Sequence, residues 1–153
     1  MPVRPRSGRY ADVPTMIPLL ASEAINPLAF PPNDFTVLES ESESRIVAFG
    51  KLSFIDGSTA SLSSVLVRPE YREQGFGRRI IAELLSRDGA DHRDIWLTTL
   101  PSRKGLYAQF GFSEQPAESA PQGKRAEVQI GNPVARAATG ESVITMMRQR
   151  VRR

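Results

Sequence analysis

Gly75 and Gly77 flank Phe76 where an apolar stretch, Val65-Leu66-Val67, gives way to a polar segment and then to helical spacing. Residue types in this order build an anion site. Val65–Val67 is β-branched and apolar, as a buried strand end is. Arg68 to Gly77 is polar and punctuated by Pro69, Gly75 and Gly77, so it is a loop. From Phe76 onward, Ile80, Ile81, Leu84 and Leu85 recur on one helical face, with Arg78, Arg79, Glu83 and Arg87 on the other. The first turn of such a helix carries N–H groups without internal partners, and its dipole favours negative charge. Glycines without Cβ let an oxygen-rich ligand approach the backbone. Arg72, Arg78 and Arg79 add positive charge around the same point. The chemistry is phosphate binding.

The type of phosphate ligand follows from the spacing. A dinucleotide fingerprint needs a third small residue at position 80, which is Ile80. A nucleotide P-loop needs Gly-Lys-Ser/Thr, a triplet absent from the sequence. What fits is Arg72-x-x-Gly75-x-Gly77, preceded by Val67-x-Pro69-x-Tyr71 and followed by an amphipathic helix. This resembles the acyl-CoA loop of the GCN5-related N-acetyltransferase (GNAT) superfamily. A second stretch, Leu106-Tyr107-x-x-x-Gly111-Phe112, is similar to a signature late in many members. The resemblance is firm from about Arg45 to Phe112 and looser before that.

The elements that must position these residues are legible in outline. Val3–Arg6 reads as a short strand confined to an edge by Pro5. Asp12 is a candidate N-cap for a helix over Val13–Ile25, which Pro18 weakens and Asn26-Pro27 stops. Asn26–Asn33 is loop, and its Leu28 and Phe30 have no periodic pattern. Phe35–Glu39, Arg45–Ile55 and Ser58–Val67 form an antiparallel meander, with Asp56-Gly57 as a tight hairpin signal. Glu39, Glu41 and Glu43 read as a solvated hairpin tip.

After Asp88-Gly89, Asp94–Leu100 is a strand parallel to Ser58–Val67 across a helical crossover. A short helix follows over Arg103–Phe110, closed by Gly111 as a left-handed cap. Ser113–Gly140 reads as a mobile excursion with a strand within Ala126–Ile130. Glu141–Arg148 supplies the last strand, and Arg148–Arg153 a solvated basic tail. The fold class is α+β, a three-layer α/β/α arrangement. The resemblance makes its centre a GNAT-like mixed sheet, in which an antiparallel meander precedes a parallel pair flanked by helices. The whole chain, residues 1–153, is expected to form a single acyltransferase-like domain.

Composition excludes several alternatives. The chain has 153 residues, 40% of them hydrophobic and 24% charged, which suits a globular domain with a core. There is no cysteine and a single histidine, His92, so thiolate or histidine metal clusters are excluded within one chain and no metal is expected. No apolar run approaches ~20 residues, and the N-terminus lacks a signal pattern, so the expected compartment is the cytoplasm. The net charge of +3 is too small and dispersed to argue for nucleic acid, but it suits a polyanionic cofactor.

The resemblance implies an acetyl-CoA-dependent N-acetyltransferase acting on a primary amine of a small molecule or peptide. It places CoA pyrophosphate on Arg72, Glu73, Gln74, Gly75, Phe76, Gly77 and Arg78. The pantetheine arm would run along Val65, Leu66 and Val67, opposite the strand ending at Thr98-Thr99. Tyr107 matches the family tyrosine assigned as general acid, and Ser102 stands near the place of an asparagine that often follows the late strand. This chain also departs from the family. Ser58–Ser64 carries no carboxylate where many members have a glutamate base, so deprotonation is expected to pass through water. The rival is a non-catalytic acyl-CoA-binding module of the same fold, and nucleic-acid binding by the tail is weaker still. The final strands are also placed to pair across a homodimer.

Overall fold

Pro5 sets the edge of the sheet, because it cannot donate to a ladder. A computed structural model of the chain describes residues 1–23, 25, 31–121 and 140–151. Strand β1 (Val3–Ser7) pairs antiparallel with β2 (Phe35–Ser40), which pairs antiparallel with β3 (Ile46–Phe54). Then come β4 (Thr59–Val67), β5 (Asp94–Thr99), β6 (Ser113–Gln115) and β7 (Ile144–Arg148). The sheet order is β1-β2-β3-β4-β5-β7-β6, with β4 and β5 parallel and β7 antiparallel to both β5 and β6. The helices are α1 (Val13–Ser22), α2 (Phe76–Leu85) and α3 (Lys104–Ala108). No described helix is long and apolar enough to cross a membrane.

The chain divides into two compact units, Met1–Ser53 with Leu62–Arg87, and Phe54–Ser61 with Asp88–Arg153. In the first, the strand period of two decides which helix covers which face. Val37 and Phe49 are register partners and join Val13, Met16 and Leu20 of α1 in one core cluster. Phe35 meets Phe49 edge-on there, ring centroids 6.0 Å apart. Gly50, one residue on, points the opposite way. A Cβ at Gly50 would lie 2.6 Å from Leu84 Cδ1 of α2. The two helices therefore lie on opposite faces, and a side chain at Gly50 would force the tip of Leu84 to move.

In the second unit, Phe112, just before β6, and Glu114 within it flank Ser113 and so share a face. Tyr107 of α3 meets Phe112 edge-on at 6.0 Å, and Lys104 pairs with Glu114 at 2.7 Å. That puts α3 on the face of Glu114 and its register partner Met146. Gly111, at φ 90°, is the left-handed cap expected after this helix, although α3 ends at Ala108 rather than Phe110.

Several expectations need correction. Asp12 makes no N-cap hydrogen bond to α1. Its carboxylate instead accepts from Arg6 through both Nη atoms at 2.8 Å and from the Arg9 N–H at 2.9 Å. Glu39 is no part of a solvated tip. It is 3% exposed and accepts from Arg4 and Arg6 at 2.8 and 2.7 Å. Arg6 holds Asp12 through both Nη atoms and shares Glu39 with Arg4, so neither buried carboxylate is left without a charged partner. Asp56 and Gly57 do not form a two-residue primed turn, since neither adopts positive φ. Asp56 Oδ1 instead accepts from the Ser58 N–H at 2.8 Å, building a longer side-chain-capped loop.

The basic tail is tied down as far as residue 151. Arg148 pairs with Asp91, Arg150 with Asp94, and the Val151 N–H donates to the Asp91 carbonyl. The excursion expected from Ser113 opens with β6. The strand expected within Ala126–Ile130, and the apolar Leu28 and Phe30, lie outside the described residues.

Arg6 bridges β1, β2 and the entry to α1. Hydrogen bonds from Arg4 and Arg6 hold the Glu39 carboxyl below the usual carboxylate range, against the opposing effect of burial. For Asp12 burial is the largest influence and acts upward, but the bonds from Arg6 and Arg9 together outweigh it and the net shift is down. Replacing Arg6 by leucine leaves two buried carboxylates short of a partner, so Arg6→Leu is expected to lose about 3–5 kcal/mol at neutral pH by urea denaturation. Because both folded carboxyls titrate below their unfolded values, their contribution is full above about pH 5 and is lost as pH falls through the folded values. The gap between wild type and Arg6→Leu should narrow in that acid window.

Candidate functional site

The end of β4 is shaped for a turn into a helix. Val67 closes the strand, Pro69–Tyr71 forms a single 3-10 turn, and Glu73 and Gly75 take left-handed φ values of 64° and 86°. Two left-handed residues one apart reverse the chain so that Gly75 becomes the N-cap of α2. The first helical bond runs from the Arg79 N–H to the Gly75 carbonyl at 3.1 Å. The amides of Phe76, Gly77 and Arg78 therefore precede the helical ladder. No side chain caps them, and the first turn carries no acidic residue. A Cβ built at Gly75 would meet nothing within 4 Å, and one at Gly77 would meet only Val67 Cγ2 at 3.8 Å. Gly75 is required by its backbone conformation, Gly77 by neither conformation nor packing. The result is an open helix start with unspent donors, suited to an oxyanion.

The arginines divide their work. Arg72 Nε donates to the Val67 carbonyl at 3.2 Å, and its Nη2 pairs with Glu23. It braces the loop from both ends. Arg79 pairs with Glu83 one turn along α2 at 2.9 Å, which draws its charge down the helix rather than over the glycines. Glu73, Gln74 and Arg78 are exposed around the loop. A cavity of about 420 Å³ in the same unit lies elsewhere, lined by Arg6, Arg9, Arg45 and Arg68 and by none of the residues from Arg72 to Arg78.

Within β4 itself the ladder to β5 covers only Thr59, Ala60 and Ser61. Ser64, three residues on, has φ 55° inside the strand. A non-glycine residue in this region is uncommon and marks a local break in the strand's alternation. Val65, Leu66 and Val67 follow that break and lead straight into the loop; Leu66 is buried in the α1 core while Val65 and Val67 are partly exposed. No carboxylate occurs on β4, and its half-buried polar positions are Thr59, Ser61, Ser63 and Ser64.

The second unit holds Tyr107 and Ser102. Tyr107 is 6% exposed on α3. Burial pushes its phenol up from the usual value, with the charge of Arg103 opposing. A phenol so held stays protonated throughout the neutral range and is a hydrogen-bond donor rather than a base. Ser102 has a partner already, since its N–H and Oγ both lie 3.2 Å from the Glu141 carboxylate. His92 is exposed, in a 3-10 turn. Among the described residues, no group of three or more His, Asp or Glu could hold a metal ion.

Comparison with known proteins shows which family has this fold and loop. The model of the acetyltransferase (GNAT) domain matches residues 31–114, more than half of the chain. The chain belongs to this family. It is similar to the mycothiol acetyltransferase of Rhodococcus opacus, with 29% identity over 109 residues, 71% of this chain and 32% of that one. It thus spans about a third of that curated relative. Rv2747 from Mycobacterium tuberculosis, solved in complex with CoA, superposes with a TM-score of 0.73 at 20% identity, over 97% of this chain and 99% of that one. N-acetylglutamate synthase from Neisseria gonorrhoeae, solved with coenzyme A and L-arginine, gives 0.73 at 16% identity, over 98% of this chain and 34% of that one. These two likenesses are of fold.

Because a methyl at Gly75 meets no atom, Gly75→Ala isolates the cost of the left-handed backbone. It is expected to lower stability by about 1–2 kcal/mol, read by thermal or urea unfolding, with secondary structure retained. A change of less than a few tenths of a kcal/mol would contradict the φ assigned to this residue.

Proposed function

We propose that this chain transfers the acetyl group of acetyl-CoA to a primary amine of a small molecule or peptide. The observation that carries this reading is the uncapped start of α2 after left-handed Gly75, in a chain of this family. Acetyl-CoA is a substrate here, consumed at each turnover. The amides of Phe76, Gly77 and Arg78 are proposed to hold its pyrophosphate, with Arg72, Glu73 and Gln74 shaping the loop. Val65, Leu66 and Val67 are proposed to pair with its pantetheine amides, and Ser102 to lie along the same substrate.

The chemistry is direct attack. The neutral amine nitrogen bonds to the thioester carbonyl carbon, the C–S bond breaks, and the departing thiolate takes the proton of the Tyr107 hydroxyl. The proton released by the new amide passes to water, since β4 presents serines and no carboxylate, and Tyr107 is reprotonated from solvent. Burial suits Tyr107 to this role because it keeps the phenol neutral. The same missing carboxylate supports a second reading, in which the chain binds acyl-CoA without turning it over.

Tyr107→Phe separates the two. For a transferase, kcat over a panel of primary amines should fall about 10²–10⁴-fold while the acetyl-CoA Kd, from calorimetry, stays within a few-fold of wild type. Unchanged kcat would remove Tyr107 from the chemistry. Wild-type binding with no turnover of any amine would favour the non-catalytic module. Because the folded phenol titrates above its ordinary value of about 10, loss of activity from its ionisation should begin only above about pH 10.

A further inference from the structure

The charges around the start of α2 are largely matched. Arg72 gives its Nη2 to Glu23, the C-cap of α1, and Arg79 pairs with Glu83 at 2.9 Å. Arg45 and Arg68 both reach Glu70 Oε1, at 3.0 and 3.4 Å. Arg78 and Glu73 are exposed and form no ion pair among the described residues. A loop whose open amides suit a polyanion thus has almost as many glutamates around it as arginines.

These acids do not serve the fold equally. Glu83 supports α2 as an i,i+4 partner, and Glu70 holds two guanidiniums. Glu73 does neither. It stands at φ 64°, a region that glycine enters freely and other residues rarely. A glutamate there is unfavourable for the backbone and for a bound anion alike, and a residue held in such a conformation calls for a functional reason.

Chain length bounds the distance over which Glu73 acts. It precedes Phe76, the first residue of α2, by three positions, so their backbones lie within about 11 Å even if fully extended. That is close to one screening length at physiological salt and well inside it at low salt. Glu23 acts through Arg72, three positions before Gly75, by neutralising the guanidinium it contacts.

We infer that Glu73 and Glu23 are affinity-limiting residues, whose carboxylates weaken the hold of this loop on the phosphates of acetyl-CoA and of the product CoA. The inference rests on the transferase reading above. Product CoA keeps the pyrophosphate of the substrate, so charge that attracts one attracts the other. Attraction shared by substrate, transition state and product adds nothing to the chemical step and slows release. The backbone amides orient the pyrophosphate by geometry, while the two glutamates offset the Coulomb attraction of the arginines and let CoA leave after transfer.

The probes are acetyl-CoA and CoA, titrated by calorimetry into wild type, Glu73→Gln, Glu23→Gln and the double variant, at about 10 mM and about 500 mM NaCl. Glutamine keeps the side-chain length and an oxygen that accepts from Arg72, and removes only the charge. At the lower salt each single variant should bind both ligands about two- to fivefold more tightly than wild type, and the gain should shrink below about twofold at the higher salt. The inhibition constant of product CoA against acetyl-CoA should fall in step, with kcat level or lower.

Equal or weaker binding by Glu73→Gln at low salt would overturn the inference. Weaker binding by Glu23→Gln would make its pair with Arg72 a structural brace and overturn the inference for Glu23. A gain undiminished at high salt would contradict its electrostatic origin. Failure of wild type to bind acetyl-CoA would sink the transferase reading and this inference with it, whereas the preceding outcomes leave that reading standing.

Discussion

The position of α2 is the constraint on which the first unit depends. Two glycines impose it from opposite directions. Gly50 leaves room for Leu84 of the helix, whose Cδ1 lies 2.6 Å from where a Cβ at position 50 would begin. Gly75 lets the chain reverse through φ 86° so that the helix can start where β4 stops. Arg87 then fastens the far end, donating from Nη1 to the carbonyls of Leu52 and Asp34 at 2.8 and 3.0 Å. A helix held at both ends against β3 presents its first turn in a fixed direction. Preorganisation of that kind is what lets backbone donors bind an anion without an ordering cost at the moment of binding.

The opposite face is secured by charge as well as by packing. Arg6 spans Asp12 and Glu39, joining the edge strands to the start of α1 over the apolar cluster of Met16, Leu20, Phe35 and Phe49. Buried ion pairs of this type add little net stability, but removing one member is costly. They fix where α1 enters, and thus the register of the helix on its face. Arg72 plays a comparable part for the loop, tying Val67 to Glu23 and spending on architecture a charge that the sequence places beside the phosphates.

Much of this was legible in the residues because local chemistry and global fold agree. The meander, the parallel crossover, the edge position of Pro5, the cap at Gly111 and the glycine loop each follow from backbone restrictions that one or two residues impose. What stayed hidden depends on partners distant in sequence. Glu39 reads as one acid among three at a hairpin, and nothing local reveals that Arg4 and Arg6 lie across the ladder from it and its neighbours. Arg148 and Arg150 read as a free basic tail because Asp91 and Asp94 are far upstream. Ser64 at φ 55°, just beyond the last rung of the ladder to β5, breaks no propensity rule that sequence expresses.

The central claim is that the uncapped first turn of α2 binds the pyrophosphate of acetyl-CoA, and calorimetric titration of wild type beside Gly77→Glu tests it most directly. A side chain at position 77 has room, since the nearest atom to its Cβ is Val67 Cγ2 at 3.8 Å. A carboxylate in a first helical turn favours folding, so the variant should unfold at or above the wild-type temperature while repelling phosphate. Micromolar binding by wild type, lost about tenfold or more in Gly77→Glu, is the expected result. Equal affinity in both proteins, or no binding by the folded wild type, would contradict the account.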